Sequence, residues 1–192
     1  MSSAPRSSRR LLLLGVPALI AAGCTTRGRD LPPLPPLATA AYRLGPGDQV
    51  RIITFGEDAL SEIFRVNDTG SLALPLLGSV KAEGLTTEQL GGRVAELLKS
   101  RNFMRNPSVS IEVTEYRAVF VLGEVSKPGQ VIYQPGMSVL SAIAVAGGYT
   151  YRAVEDQVGV TRLIDGQPFQ GRASPTTPLS PGDIVTVFER YF

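Results

Sequence analysis

The chain has 192 residues, 43% hydrophobic and 19% charged, with a net charge of +2, one cysteine and no histidine. That is the composition of one globular domain or two small ones. Without histidine there is no Ser-His-Asp triad and no histidine-containing metal site, and a lone Cys24 excludes an internal disulfide and a cysteine metal cluster. No basic stripe with interleaved aromatics is present, so nucleic acid is not an expected partner.

Arg6, Arg9 and Arg10 precede an apolar stretch from Leu11 to Ala22 that contains Gly15 and Pro17. Its length suits a secretory signal better than a transmembrane helix, which needs about 20 apolar residues. Ser8-Arg9-Arg10 carries a twin-arginine pair, but the residues after it match that signal weakly, and Sec export is expected. Ala21-Ala22-Gly23-Cys24 resembles the lipobox of bacterial lipoproteins, with Ala21 in place of the usual leucine. The resemblance implies cleavage before Cys24 and acylation of its thiol; the plainer alternative is a signal peptide with an incidental cysteine. Thr25, where aspartate is absent, implies sorting to the outer membrane. Acyl chains at Cys24 contribute about 0.8 kcal/mol per buried methylene, enough together for firm anchoring.

Residues 24–41 are read as the lipidated cysteine and a proline-rich linker. Asp30-Leu-Pro-Pro-Leu-Pro-Pro-Leu37 favours an extended polyproline II spacer that stands a domain off the lipid.

A first folded unit is expected over residues 42–115. Leu44-Gly45-Pro46-Gly47-Asp48 is a turn signal, and strands are predicted over Gln49–Phe55, Ile63–Val66 and Leu72–Leu74. Pro75 and Gly78 predict tight bends among the leucines that follow. Thr86 and Gln89 form a capping box, Leu85 and Leu90 a hydrophobic staple, and Leu90, Val94, Leu97 and Leu98 one helical face. Gly91-Gly92 inside that helix predicts a close backbone approach. Val109, Ile111 and Val113 alternate with Ser108, Ser110 and Glu112, as in a half-exposed strand.

A second unit, residues 116–192, is organised by the stretch from Ala118 to Thr150. Strands are predicted over Ala118–Leu122 and Val131–Tyr133, with turns at Lys127-Pro128-Gly129 and Gln134-Pro135-Gly136. Ser138 caps a short helix, Val139–Ala146, that stops at Gly147-Gly148 and is apolar nearly all round, so it is expected to lie buried against the sheet.

Tyr42 to Ile52, Val66 to Gly70, Leu74-Pro-Leu-Leu-Gly78, Gly84-Leu-Thr86 and Asn106-Pro-Ser-Val109 stand in the order found in bacterial polysaccharide export proteins of the Wza type. Gly123-Glu124-Val125, Lys127-Pro128-Gly129 and Ala146-Gly147-Gly148 resemble the β-grasp SLBB domain that follows in that family. The resemblance implies an α+β fold, a small mixed strand-helix export domain followed by one β-grasp domain. It implies a homo-oligomeric ring, lipid-anchored at the periplasmic face of the outer membrane, that conducts exopolysaccharide or capsular polysaccharide. It implies an inner-membrane polysaccharide co-polymerase of the tyrosine autokinase type as partner. After the last predicted strand, Ile184–Phe188, there is no segment like the pore helix of large members, so the short xanthan-type subclass is expected. Either a separate outer-membrane β-barrel or the lipid anchor alone then serves at the outer membrane.

No catalytic group, cofactor or metal is expected. Asp48 and Asp183 sit at matching Pro-Gly-Asp turns and are read as caps on turn amides. Glu57, Asp58 and Glu62 read as a solvated loop, and Glu155-Asp156 as a turn. Tyr116, Tyr133, Tyr149 and Tyr151 either stack on sugars or pack at edges and interfaces, and Tyr149, Tyr151 and Arg152 are the candidate saccharide or interface contacts. Arg51, Arg65 and Arg162 either face an anionic polymer or are solvated. The alternative function is a monomeric periplasmic lipoprotein that binds a saccharide or scaffolds a partner.

Overall fold

The structure, a computed structural model, describes residues 28, 30–37, 41–56, 60–164 and 166–190. The expected leader and Cys24 lie outside the described residues, as do Glu57 and Asp58. Among the described residues no helix is long and apolar enough to cross a membrane. The architecture is α+β, with two separate hydrophobic cores.

In the first unit, β1 (Gln49–Thr54) lies between β2 (Ile63–Arg65) and β5 (Val109–Glu115) in an antiparallel sheet. Val50, Ile52 and Thr54 of β1 point inward, while Arg51 and Ile53 point out. Helix α1 (Thr87–Ser100) covers the inner face. Its start follows the local chemistry: Thr86 Oγ1 accepts from the Gln89 amide at 3.2 Å, and Gln89 Oε1 accepts from the Thr86 amide at 3.0 Å. Leu90, Val94 and Leu98 are fully buried, each contributing roughly 1.5–3 kcal/mol by the area it removes from water. The close approach expected at the glycine pair is not found: a methyl on Gly91 would stand in ordinary contact, 3.5 Å from the Val109 carbonyl oxygen, and one on Gly92 would face open space.

The bends expected at Pro75 and Gly78 are the turn of a hairpin. β3 (Ser71–Leu74) pairs with β4 (Gly78–Lys81), a strand the sequence reading did not contain. Leu76 takes φ 63°, so the chain reverses through a left-handed residue that nothing in its type announces.

The second unit is a five-stranded sheet in the order β7 (Gly129–Val131), β6 (Val119–Gly123), β10 (Ile184–Val187), β8 (Val158–Ile164), β9 (Gln167–Ala173). β6 and β10 run parallel and the other pairs antiparallel. Helix α2 (Val139–Val145) packs on one face, capped by Ser138, whose Oγ accepts from the Ser141 amide at 3.3 Å. Its Val139, Ala142 and Ile143 join Val119, Val121, Val160 and Val185 in the core.

Two expectations change here. The strand placed at Val131–Tyr133 lies two residues earlier, because its register follows β6, with Val119 opposite Val131 and Val121 opposite Gly129; beyond Val131 the chain leaves the sheet. Helix α2 is not buried on all sides: Leu140 is 49% and Val145 65% exposed. A helix lying on one sheet face can bury only the side turned to that face, however apolar its remainder is.

The proline-rich segment is no free spacer. The Leu34 amide donates to the Arg172 carbonyl at 2.9 Å, the Arg172 amide donates to the Pro32 carbonyl at 2.7 Å, and Pro33 bridges Arg172 in parallel. Leu34 packs against the second core, and Leu31 reaches toward Gly159. Leucine at every third position gives the segment an apolar side, and the β9 edge offers somewhere to bury it.

Candidate functional site at the junction of the two units

The two Leu-x-Pro-Gly-Asp turns are built alike. Pro46 and Gly47, and again Pro181 and Gly182, occupy the two central positions, the glycines with φ 97° and 87°. The amide of Asp48 donates back to the Gly45 carbonyl at 3.2 Å, and that of Asp183 to the Ser180 carbonyl at 3.1 Å. Each aspartate then turns its carboxylate onto the first turn residue, accepting from the Gly45 amide at 2.8 Å or the Ser180 amide at 2.7 Å. Both carboxylates are buried, Asp48 at 0% and Asp183 at 1% exposure. The sequence reading of both as turn caps is what the geometry shows.

What it did not contain is that each buried carboxylate meets an arginine. Arg162 Nε donates to both Asp183 oxygens at 3.0 and 3.2 Å, while its Nη2 donates to Oδ2 at 2.6 Å and to the Pro178 carbonyl at 3.1 Å. Arg162 is itself buried, so it faces neither polymer nor solvent. The signal was absent from the sequence because β8 and the turn before β10 meet only through sheet pairing. A guanidinium fork matches a carboxylate in this way where an ammonium cannot.

Arg117 does more, since it ties one turn to the other. Its amide donates to Asp48 Oδ1 at 2.8 Å, and its guanidinium stands 3.5 Å from Asp48 Oδ2. Its Nε donates to the Pro181 carbonyl at 3.0 Å. A methyl on Gly182 would lie 2.9 Å from that Nε, and one on Gly45 would run into the guanidinium. The glycines are there for the arginine as much as for the turns. Beside it Tyr42, Tyr116 and Tyr133 stack edge-to-face, with centroids 5.0 and 5.5 Å apart, and the Arg117 guanidinium sits 5.7 Å from the Tyr42 centroid. Tyr42 OH donates to Asp48 Oδ2 at 2.6 Å and Tyr133 OH to the Leu179 carbonyl at 3.3 Å. The junction is therefore a polar-aromatic clasp drawn from both units.

Burial, and then the hydrogen bond given to Asp48, push the Tyr42 phenol well above its ordinary range. A phenol whose folded pKa is raised stabilises the fold below the unfolded value of about 10, and that contribution is lost as pH rises above it. Unfolding midpoints in urea should fall as pH passes about 10, and fall less steeply in Tyr42→Phe. Parallel slopes in the two proteins would rule out Tyr42 as the source.

A cleft of about 510 Å³ opens over this clasp, lined by Pro35, Leu37, Arg43, Tyr42, Tyr133 and Leu163 among others. The hydroxyls of Tyr42 and Tyr133 and the guanidinium groups of Arg117 and Arg162 have partners inside the fold. The cleft is a seam between units rather than a pocket of free donors.

The three residues singled out as contacts stand in different surroundings. Tyr151 stands 85% exposed. Tyr149 is half-buried against the second core, its hydroxyl donating to the Glu155 carbonyl at 3.5 Å, and burial pushes its phenol up. Arg152 pairs with Glu189. Of the other arginines named, Arg51 pairs with Glu112 at 3.2 Å and Arg65 lies 4.0 Å from Glu115, both on the open face of the first sheet. Asp48 and Asp183 are each held by turn amides and an arginine.

Residues 36–114 match the family described as polysaccharide biosynthesis/export protein, and residues 118–173 match the SLBB domain. Over these residues the chain is similar to polysaccharide export proteins and to the SLBB domain. It is 35% identical over 121 residues to the exopolysaccharide production protein ExoF of Rhizobium meliloti (strain 1021), covering 56% of this chain and 28% of that one. It is 28% identical over 109 residues to the polysialic acid transport protein KpsD of Escherichia coli, covering 56% of this chain and 19% of that one. The chain thus spans less than a third of the length of these relatives.

Proposed function

We propose that this protein is a subunit of a homo-oligomeric conduit that carries exopolysaccharide or capsular polysaccharide through the cell envelope. On this reading Cys24 is acylated and holds it at the periplasmic face of the outer membrane, and an inner-membrane co-polymerase of the tyrosine autokinase type delivers the polymer. The protein performs no reaction and needs no cofactor; synthesis at the inner membrane drives transport. Polymer contact is assigned to Tyr151, with Tyr149 and Arg152 holding its loop.

The observation that carries the oligomer is the placing of exposed apolar side chains on both sides of the second sheet. Phe120 and Leu122 alternate with buried Val119 and Val121, and so point away from α2. Leu140 and Val145 project from α2 on the opposite side. Two different apolar surfaces on opposite sides of one module favour head-to-tail contact between copies, which closes into a ring when the rotation allows.

The test is the mass of the chain extracted from membranes in mild detergent, beside Phe120→Arg and Val145→Arg. The expected result is a discrete multimer that each variant reduces to smaller species with unchanged unfolding midpoint, together with loss of polymer at the cell surface. A parent that remains monomeric at high concentration and beside its co-polymerase overturns the conduit and returns the saccharide-binding lipoprotein.

A further inference from the structure

The five-stranded sheet has two edges of unequal hazard. β7 is three residues long, whereas β9 has seven, and a long unpaired edge is a template for any other extended chain. Among the described residues the long edge is paired at Arg172, by Pro32–Leu34 of the segment Leu31–Leu37, and no pairing is seen on β7's outer edge. Its hydrogen bonds turn the Pro32 carbonyl and the Leu34 amide toward Arg172. Along an extended strand the groups of neighbouring residues face opposite edges, so residue 33 faces away from β9, and residue 35 follows it where the extension continues. Both are proline and have no N–H to offer. The segment thus accepts pairing on one side and refuses it on the other.

The fit on the inner side is specific as well. A methyl at Gly171 would lie 2.7 Å from the Leu34 Cα and 2.9 Å from its nitrogen, so backbone meets backbone there with no room for a side chain. A methyl at Gly159 would press on Phe188 at 2.9 Å and stand 3.4 Å from Leu31. Leu34 meanwhile completes the core under the edge.

We propose that Leu31–Leu37 is a strap that terminates the sheet: it occupies the β9 edge within the same chain and presents a donor-poor outer side, so that copies of the protein cannot join edge to edge through β9. Assembly is thereby confined to other surfaces of the molecule. The inference does not depend on the conduit reading, since an edge needs guarding in a monomer and in a ring.

The test uses the full chain in mild detergent with two kinds of variant. Pro33→Val with Pro35→Val restores outward donors while leaving Leu34 and Gly171 untouched. Its expected behaviour is growth of concentration-dependent assemblies beyond the size of the parent, with the Arg172 amide still protected from hydrogen exchange. Gly171→Ala dislodges the strap: Arg172 amide exchange should speed up about tenfold or more, the loss of one net hydrogen bond, while Val160 and Val185 amides stay protected and assemblies again grow. A double proline variant of parental size overturns the proposal, as does unchanged Arg172 exchange in Gly171→Ala. Should Gly171→Ala lose protection across the sheet, the proline variant decides alone. A monomeric parent would remove the conduit reading and leave this comparison intact, because growth is measured against whatever size the parent has.

Discussion

Replacing Arg162 by methionine should lower stability by about 3–5 kcal/mol, the usual consequence of leaving a buried charge without its partner. Asp183 is 1% exposed, and the arginine contributes three of the contacts to its carboxylate. Methionine fills much of the same volume, so the loss reports on charge and not on a cavity. Urea unfolding measures it, as a lower midpoint with unchanged slope. Adding Asp183→Asn removes the stranded charge yet keeps an oxygen for the Ser180 amide, and should recover a large part of the loss. If the single variant loses less than about 1 kcal/mol, within the range of an exposed pair, then water reaches this site and the ion pair is not a buried one.

Asp48→Ala should cost a similar amount but change the shape of the transition. Asp48 accepts hydrogen bonds from Tyr42, from the Gly45 amide and from the Arg117 amide. Unmet buried groups cost roughly 1–3 kcal/mol each. Because Arg117 also holds the Pro181 carbonyl, freeing it loosens the second unit from the first. Each unit has its own core and can unfold by itself once the clasp is gone. The parent should therefore melt in one calorimetric transition and Asp48→Ala in two. A single transition in the variant would mean that the Tyr116–Arg117 connection and the strap suffice to couple the units.

What was legible in the sequence is what nearest neighbours decide. Thr86 and Gln89 sit three residues apart and satisfy each other, so the helix start needed no tertiary knowledge. Val109, Ile111 and Val113 announced a one-sided strand by alternation alone. Asp48 and Asp183 were readable as caps because the amides they accept from lie three residues back. Arg162 was not readable, since its partner is 21 residues away and the sheet pairs them. Leu140 and Val145 misled for a different reason: an apolar residue promises burial without saying against what, and a surface between copies satisfies the same pattern as a core. The prolines of residues 32–36 suggested extension correctly, but not the edge on which they lie. Among the candidate contacts, spacing grouped Tyr149, Tyr151 and Arg152, while the fold gives solvent only to Tyr151 in full measure.

The position of β10 carries a consequence for how this molecule comes into being. It is the last of the strands in sequence, and it is the middle one in space, flanked by β6 some sixty residues earlier and by β8. Until it arrives, β7 with β6 and β8 with β9 are two hairpins with nothing between them, each too small to persist alone. The loop that must close before the parallel pair can form is long, and its entropy is lost before any contact repays it. The second unit therefore stays unfolded through synthesis of almost its whole length and then condenses at once.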